Sequence, residues 1–357
     1  MSLRPRSPLG AYLKNSSPVL YQFSRPEWYF VQSNPNQKLK LNNRINHFMR
    51  NTKKRSQTQT PICRHVFAGA ALLTAVLFAA APTSRADTTI YVANSGNNTI
   101  QQFTAGGAGS LFANVGLNTP YGLAADQSFN IFAANFGNNR IEKFTPGGVA
   151  SLFANSGLSS PAGLTFDSLG NLYVANFGNN SIVKFTSGGV SSVFATGLFS
   201  PIGLAIDTAD NLYVSNYGNN TIRKITPGGV GSTFASAGLN RPIGLAFDNA
   251  GNLYAANSVG NTIEMYTSGG VGSIFANTGL NKPYGLAFDS SGNLYAANNG
   301  NNTIEMFAAG GGGVGSIFAN TGLNLPTFIA IVPEPSTWAI LGGGLAALLL
   351  CFRRQRA

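Results

Sequence analysis

The chain predicts an all-β fold, a six-bladed β-propeller, from three observations. The aspartates Asp126, Asp167, Asp207, Asp248 and Asp289 recur at steps of 41, 40, 41 and 41 residues, and a fixed period of that size marks a repeat architecture. Each copy holds four short runs that alternate apolar with small or polar residues, the pattern of strands rather than helix. The copies succeed one another without a break between Thr88 and Val332. One four-stranded sheet cannot bury both faces by itself, whereas stacking such sheets around an axis buries the faces and removes the open ends.

The copy that begins at Pro201 shows each element. Its runs are Pro201–Asp207, Asn211–Asn216, Thr221–Thr226 and Gly231–Ala235. Asp207 opens the first break, where its carboxylate is placed to close an Asx turn on the way to Asn211. Gly218-Asn219-Asn220 forms the second break, with residue types that tolerate positive φ, and Gly228-Gly229 forms the third, a tight hairpin.

The second run recurs at Asn130–Asn135, Asn171–Asn176, Asn211–Asn216, Asn252–Asn257 and Asn293–Asn298, and Thr89–Asn94 is a sixth without the leading Asn. The repeat region therefore starts at a second strand. It ends at a degraded first strand, Leu325–Val332. The simplest closure lets Pro326–Val332 complete the sheet begun by Thr89–Ala113, so that both ends of the chain seal one blade.

The recurring D-x-x-G-N-L-Y-V-A-N-x-G-N-N-x-I-x-K-F resembles the NHL repeat over roughly 245 residues. The usual repeat has Asp where this chain has Asn176 or Asn216. The resemblance implies a propeller, and the loss of those acids removes charge-dependent chemistry from it.

Before the propeller, residues 1–48 are polar and basic with no period and read as a disordered extension. Met49 to Arg55 is a basic n-region, Val66–Ala81 an apolar h-region and Ser84-Arg85-Ala86 a small-x-small site before Asp87. This is the order of a secretory signal peptide over residues 49–86, with cleavage between Ala86 and Asp87, which implies signal peptidase and the secretion machinery as partners. Met49 then reads as the true start; an unusually long n-region is the alternative.

After the propeller, residues 333–357 carry Pro333-Glu334-Pro335, an apolar stretch Trp338–Phe352 and Arg353-Arg354-Gln355-Arg356. All three parts are similar, in order, to the PEP-CTERM sorting tail. The resemblance implies recognition by an exosortase and export in a Gram-negative, polysaccharide-producing bacterium. The apolar stretch predicts a transmembrane helix as a transient anchor, and the arginines place its end in the cytoplasm.

Charge is distributed unevenly. The whole chain has a formal charge of +11, but residues 87–332 hold 7 Lys/Arg against 10 Asp/Glu, a net −3. The basic surplus lies in the targeting segments, so it does not point to a nucleic-acid partner. Both cysteines (Cys63, Cys351) and both histidines (His47, His65) lie outside the propeller. The repeat region thereby lacks the commonest general base, the usual nucleophilic dyads and the usual zinc ligands. Histidine-dependent NHL-like lyases are poor guides to it.

Two sets of residues are candidates for function. The five recurrent aspartates offer a carboxylate ring for Ca²⁺, as gluconolactonase-like propellers hold a metal centrally; the plainer reading is a ring of identical turn caps. Glu142, Glu264 and Glu305 fall on third strands, expected at the outer side of the blades, with Glu142 and Lys143 forming a solvated surface. The stronger lead is the hairpin after the second strand. It presents Asn135 with Phe136, Asn176 with Phe177, and Asn216 with Tyr217, beside Tyr121 and Tyr284 that follow loop prolines. Amides and aromatic rings on one face suit a carbohydrate or peptide ligand. The same asparagines also suit turn geometry and bonds between blades.

The sequence thus predicts an exported, envelope-associated, non-catalytic propeller that binds or scaffolds a polysaccharide or protein, without a cofactor. The alternative is a metal-dependent gluconolactonase-like or lyase-like enzyme on a sugar derivative, and a third reading is a structural spacer.

Overall fold

The computed structural model describes residues 88–333 and, as a separate unit, an antiparallel pair between Tyr21–Gln22 and Trp28–Tyr29. That short pair falls within the segment expected to have no order. The expected signal helix and C-terminal helix lie outside the described residues. Among the described residues no helix is long and apolar enough to cross a membrane.

Residues 88–333 form six four-stranded antiparallel sheets, the blades of one ring. Blade 1 combines Pro326–Pro333 with Thr88–Asn94, Thr99–Phe103 and Gly109–Ala113, and Pro326 pairs with Asn94 while Val332 pairs with Thr89. Both ends of the propeller therefore close one sheet, as the order of the runs predicts. Blades 2 to 6 begin at Pro120, Pro161, Pro201, Pro242 and Pro283 and each run outward through four consecutive strands.

Within a blade the burial follows from the stacking. The second strand, such as Leu212–Asn216, is buried on both faces because a neighbouring blade lies against each. The outermost strand, such as Gly231–Ala235, is mostly exposed. Six apolar cores fill the gaps between successive blades. Tyr213, Ile222 and Ala235 of blade 4, for example, pack with Leu245, Leu253, Ala255 and Tyr266 of blade 5. A fully buried aromatic or branched side chain of this kind is worth about 1.5–3 kcal/mol.

The glycine of P-x-G-L is required where innermost strands converge on the axis. A Cβ on Gly203 would overlap the carbonyl oxygen of Ile243, and Gly122, Gly163 and Gly244 meet the next blade in the same way. Blade 1 departs from this rule. Phe328 stands at the glycine position and joins Ala162, Ile202 and Ile243 in an apolar cluster on the axis. The ring is thereby plugged at its centre.

The single 40-residue step also has a structural place. Eight residues separate Phe153 from Pro161, whereas seven separate Phe194 from Pro201. The loop entering blade 4 is one residue shorter, and Leu198 turns inward there to join the core between blades 3 and 4.

Candidate functional site

The start of each innermost strand and the hairpin after each second strand lie at one end of the blade. Asn216 pairs with both Pro201 and Thr221, while Leu212 at the other end pairs with Ile206 and Ile225. This end of the ring carries the candidate hairpins, and the Asp turns lie at the opposite end.

The structure separates the asparagines from the aromatics. Asn135, Asn176 and Asn216 are buried. Their Oδ1 atoms accept backbone N–H groups of Asn118, Ser159 and Phe199 at 3.0–3.2 Å. Asn135 and Asn176 also donate from Nδ2 to the carbonyls of Gly116 and Gly157. Each of these two amides fastens the loop that enters its own blade, which needs a donor and an acceptor together. An Asp there would face a carbonyl with a carboxylate oxygen, and this explains the Asn at these positions. In blade 4 the shortened loop offers no such carbonyl, and Asn216 donates to Thr221 Oγ1 instead. A second asparagine in each hairpin fastens the next blade. Asn98, Asn139, Asn180, Asn220, Asn261 and Asn302, all at positive φ, accept backbone N–H groups of Thr119, Ser160, Ser200, Arg241, Lys282 and Leu325. The paired asparagines are bonded within the ring rather than presented to a ligand.

The aromatics converge. Tyr121, Phe136, Phe177, Tyr217 and Tyr284, with Ala162, Ile202 and Ile243, line a cavity of about 180 Å³ at the axis. The Tyr121 ring lies 5.6 Å from Phe136, 6.0 Å from Tyr284 and 5.8 Å from Phe328, centroid to centroid, and Phe136 lies 5.8 Å from Phe177. Phe328 belongs to the buried cluster against which Tyr121, Phe177, Tyr217 and Tyr284 pack. Desolvation, with the Tyr284 and Tyr217 phenols close by, raises the Tyr121 phenol well above its ordinary value, and desolvation with the Tyr217 phenol raises Tyr284. Both phenols stay protonated at neutral pH.

The cavity breaks the six-fold symmetry. At the residue that follows the first hairpin Asn, blades 2, 3 and 4 carry Phe136, Phe177 and Tyr217, while blades 5, 6 and 1 carry Ser258, Asn299 and Ser95. The polar set is anchored to backbone: Ser258 to the Arg241 carbonyl, Asn299 to Pro326 and Ser95 to Leu325. At this hairpin position one half of the ring is aromatic and the other half polar.

The Asp ring is a set of turn caps. Asp207 Oδ1 accepts the backbone N–H groups of Ala209 and Asn211, and its carboxylate accepts the Asn211 amide and the Tyr213 hydroxyl. Asp126, Asp167, Asp248 and Asp289 repeat the arrangement in their own turns. Lys143, Lys184 and Lys224 add ion pairs to Asp126, Asp167 and Asp207 at 3.4–3.7 Å. Among the described residues no three Asp, Glu, His or Cys side chains come together as a metal site.

The glutamates differ from expectation. Glu142, Glu264 and Glu305 are buried rather than solvated. They pack between blades against Gly116, Gly238 and Gly279 of the incoming loops, because the third strand still has a neighbouring blade over it. Burial raises the pKa of all three. A larger hollow of about 350 Å³ opens between blades 3 and 4 beside Arg223, far from the aromatic mouth.

The virginiamycin B lyase family model matches residues 69–306. The chain belongs to the virginiamycin B lyase family. A second model, the PEP-CTERM protein-sorting motif, matches residues 332–355, which include Pro333, Glu334 and Pro335. This tail marks the family member for export and for processing by an exosortase-type enzyme. No curated protein matches the chain in sequence. Among solved structures, a chain of a nidogen/laminin complex is similar with a TM-score of 0.62 at 20% identity, covering 68% of this chain and 98% of that one. Virginiamycin B lyase from Staphylococcus aureus follows at a TM-score of 0.54 and 17% identity, covering 67% and 84%. A catalytically inactive histidine-to-alanine variant of that lyase, crystallised with quinupristin, has a TM-score of 0.51 at 16% identity, covering 68% and 78%. These likenesses show the shared propeller fold. This family member carries no histidine between residues 88 and 333.

Four residues at or beside the mouth were not legible as such in the sequence. Phe328 hides in a degraded run, and its only signal is the loss of the glycine that every other copy keeps. Ser258 and Asn299 signal themselves by replacing an aromatic at a repeating position. Arg241 is visible only as the residue before a loop proline; its guanidinium lies 4.8 Å from the Tyr217 ring centroid and donates to the Tyr217 carbonyl.

Proposed function

We propose that the exported propeller binds a ligand at the aromatic mouth and does not turn it over, so that it serves as a binding or scaffolding module at the cell envelope. The observation that carries this reading is the lining of the mouth: five aromatic rings with Ala162, Ile202 and Ile243, and no imidazole, thiol or carboxylate among them. Such a surface holds and orients a ligand but supplies no proton acceptor of useful pKa. The same reading takes residues 49–86 as a cleaved signal, residues 87–332 as the mature propeller and residues 333–357 as the sorting tail. Polysaccharide suits the mouth better than protein, because ring faces stack on sugar C–H surfaces while Ser and Asn take hydroxyl partners.

Family membership favours a second reading, a lyase. Against it stands the absence of histidine from the propeller, since a histidine substitution marks the inactive form of the relative. The two readings separate in one set of measurements on the full chain. A glycan array is expected to give specific binding that persists with chelator present. Quinupristin incubated with the protein and followed by mass spectrometry is expected to remain intact. Turnover, or glycan binding that vanishes with chelator, decides for an enzyme or a metal-dependent site instead.

A further inference from the structure

The charges of the propeller are sorted by face. Every aspartate among the described residues, Asp126, Asp167, Asp207, Asp210, Asp248 and Asp289, lies in the turns between first and second strands, at the end opposite the mouth. The three glutamates are buried in mid-strand between blades. The mouth end carries Arg140, Arg241 and Lys282, all exposed, and no acid. A net-negative domain thus carries only cations among its charged side chains at the mouth end, among the described residues.

Two of these cations are placed by the fold itself. Arg241 and Lys282 each precede the proline that starts an innermost strand, two residues ahead of Ile243 and Tyr284 in the cavity wall. Their backbone N–H groups are held by Asn220 and Asn261 of the preceding blades, at 2.8 and 2.7 Å. The Arg241 guanidinium is further held against Tyr217, by its ring and by its carbonyl at 3.3 Å. No carboxylate among the described residues pairs with it. A planar guanidinium anchored through one donor keeps its others for a bidentate carboxylate, and its preorganisation lowers the ordering cost of binding.

We propose that the mouth selects a carboxylated sugar, a uronate residue of an acidic glycan. The sugar ring lies against Tyr121, Phe136, Phe177 and Tyr217, its hydroxyls meet Ser95 and Asn299 across the cavity, and its carboxylate sits on Arg241 with Lys282 alongside. The cations at this end extend the same selection to the neighbouring residues of the chain. Ser95 and Asn299 already donate to the Leu325 and Pro326 carbonyls, so they meet the sugar hydroxyls as acceptors, through Oγ and Oδ1. This inference rests on the mouth being the binding site and adds the charge of its ligand.

Calorimetry on the full chain tests it with a pair of probes that differ only in charge, trigalacturonic acid and its fully methyl-esterified form. The acid is expected to bind at least ten-fold more tightly than the ester, with that advantage lost in high salt. Arg241→Gln is expected to cut the preference for the acid over the ester at least several-fold, with a cooperative melting curve showing that the variant still folds. Equal binding of acid and ester, or an unaltered preference in Arg241→Gln, overturns the anionic selectivity and leaves the mouth standing as a neutral-sugar site. Tighter binding of a poly-glutamate peptide than of the acid trisaccharide overturns the sugar assignment. Binding of the acid that survives Phe136→Ala and Tyr217→Ala unchanged overturns the mouth itself as its site.

Discussion

Asn94 and Asn324 stand 230 residues apart in the chain, yet the side-chain oxygen of the first accepts the backbone N–H of the second at 3.1 Å. Asn94 also donates from Nδ2 to the Gly322 carbonyl at 2.9 Å. The pair closes the ring with the same staple that fastens blades in the middle of the chain, so the seam is built like any other joint. Replacing Asn94 with Ala removes both hydrogen bonds, at about 0.5–1.5 kcal/mol each, a loss of about 1–3 kcal/mol. Chemical denaturation is expected to show that loss for Asn94→Ala. Asn94→Asp should be destabilised too at neutral pH, because a carboxylate cannot donate to Gly322. A variant as stable as the parent would mean that the seam is carried by strand pairing alone.

The axis predicts the sharpest single-residue effect. Gly203→Ala drives a methyl group into the Ile243 carbonyl of the next blade, where backbone cannot give way cheaply. Overpacking of this kind costs about 1–3 kcal/mol or more. Thermal melts of Gly203→Ala are expected to fall by several degrees. Gly170→Ser is the control: Gly170 has nothing within 4 Å and pays only for its φ of +77°.

The buried glutamates predict a pH dependence of defined sign. Burial holds the folded-state pKa of Glu142, Glu264 and Glu305 above the unfolded value. Such a group favours the folded state fully below its unfolded pKa, and that contribution is lost as pH rises through the folded pKa. The triple variant Glu142→Gln, Glu264→Gln, Glu305→Gln is therefore expected to gain stability over the parent as pH climbs from about 4 to 7. Melting temperatures across that range check the direction, and a parallel pair of curves would refute it.

The turn aspartates predict the opposite sign. Burial by itself would raise the Asp167 and Asp207 carboxyls. Donors from Asn171 and Asn211, with Lys184 and Lys224, nonetheless hold both below the ordinary value. Their contribution is present above the unfolded pKa of about 3.9 and is lost as pH falls through the folded pKa. Asp207→Asn is expected to lower stability at pH 7 and to converge with the parent in strong acid, as followed by circular dichroism.

The mouth predicts a separation of binding from folding. Phe136 and Tyr217 are only partly buried, so truncating either costs little packing. Loss of an aromatic contact is worth about 0.5–1.5 kcal/mol beyond its buried area. Phe136→Ala and Tyr217→Ala are expected to weaken glycan binding roughly two- to twelve-fold with the melting temperature nearly unchanged.

The repeat period, the turn residues and the alternation within each run determined the ring, its number of blades and its closure, because each is set by local spacing that every copy repeats. The strands around Pro201 to Ala235 agree with their expected limits to within a residue or so. The sorting tail was equally legible, since such a signal depends on composition and order rather than on packing. What only the tertiary structure decided is which side of each element meets a neighbour. Asn135 and Phe136 are adjacent in sequence, yet one is buried under a loop and the other lines the cavity. Glu142 looks like a surface residue beside Lys143 and is covered by the loop that enters its own blade at Gly116. Phe328 and Arg241 belong to the mouth only because a closed ring brings residues from five or six different copies to one axis, and no spacing along the chain records that convergence.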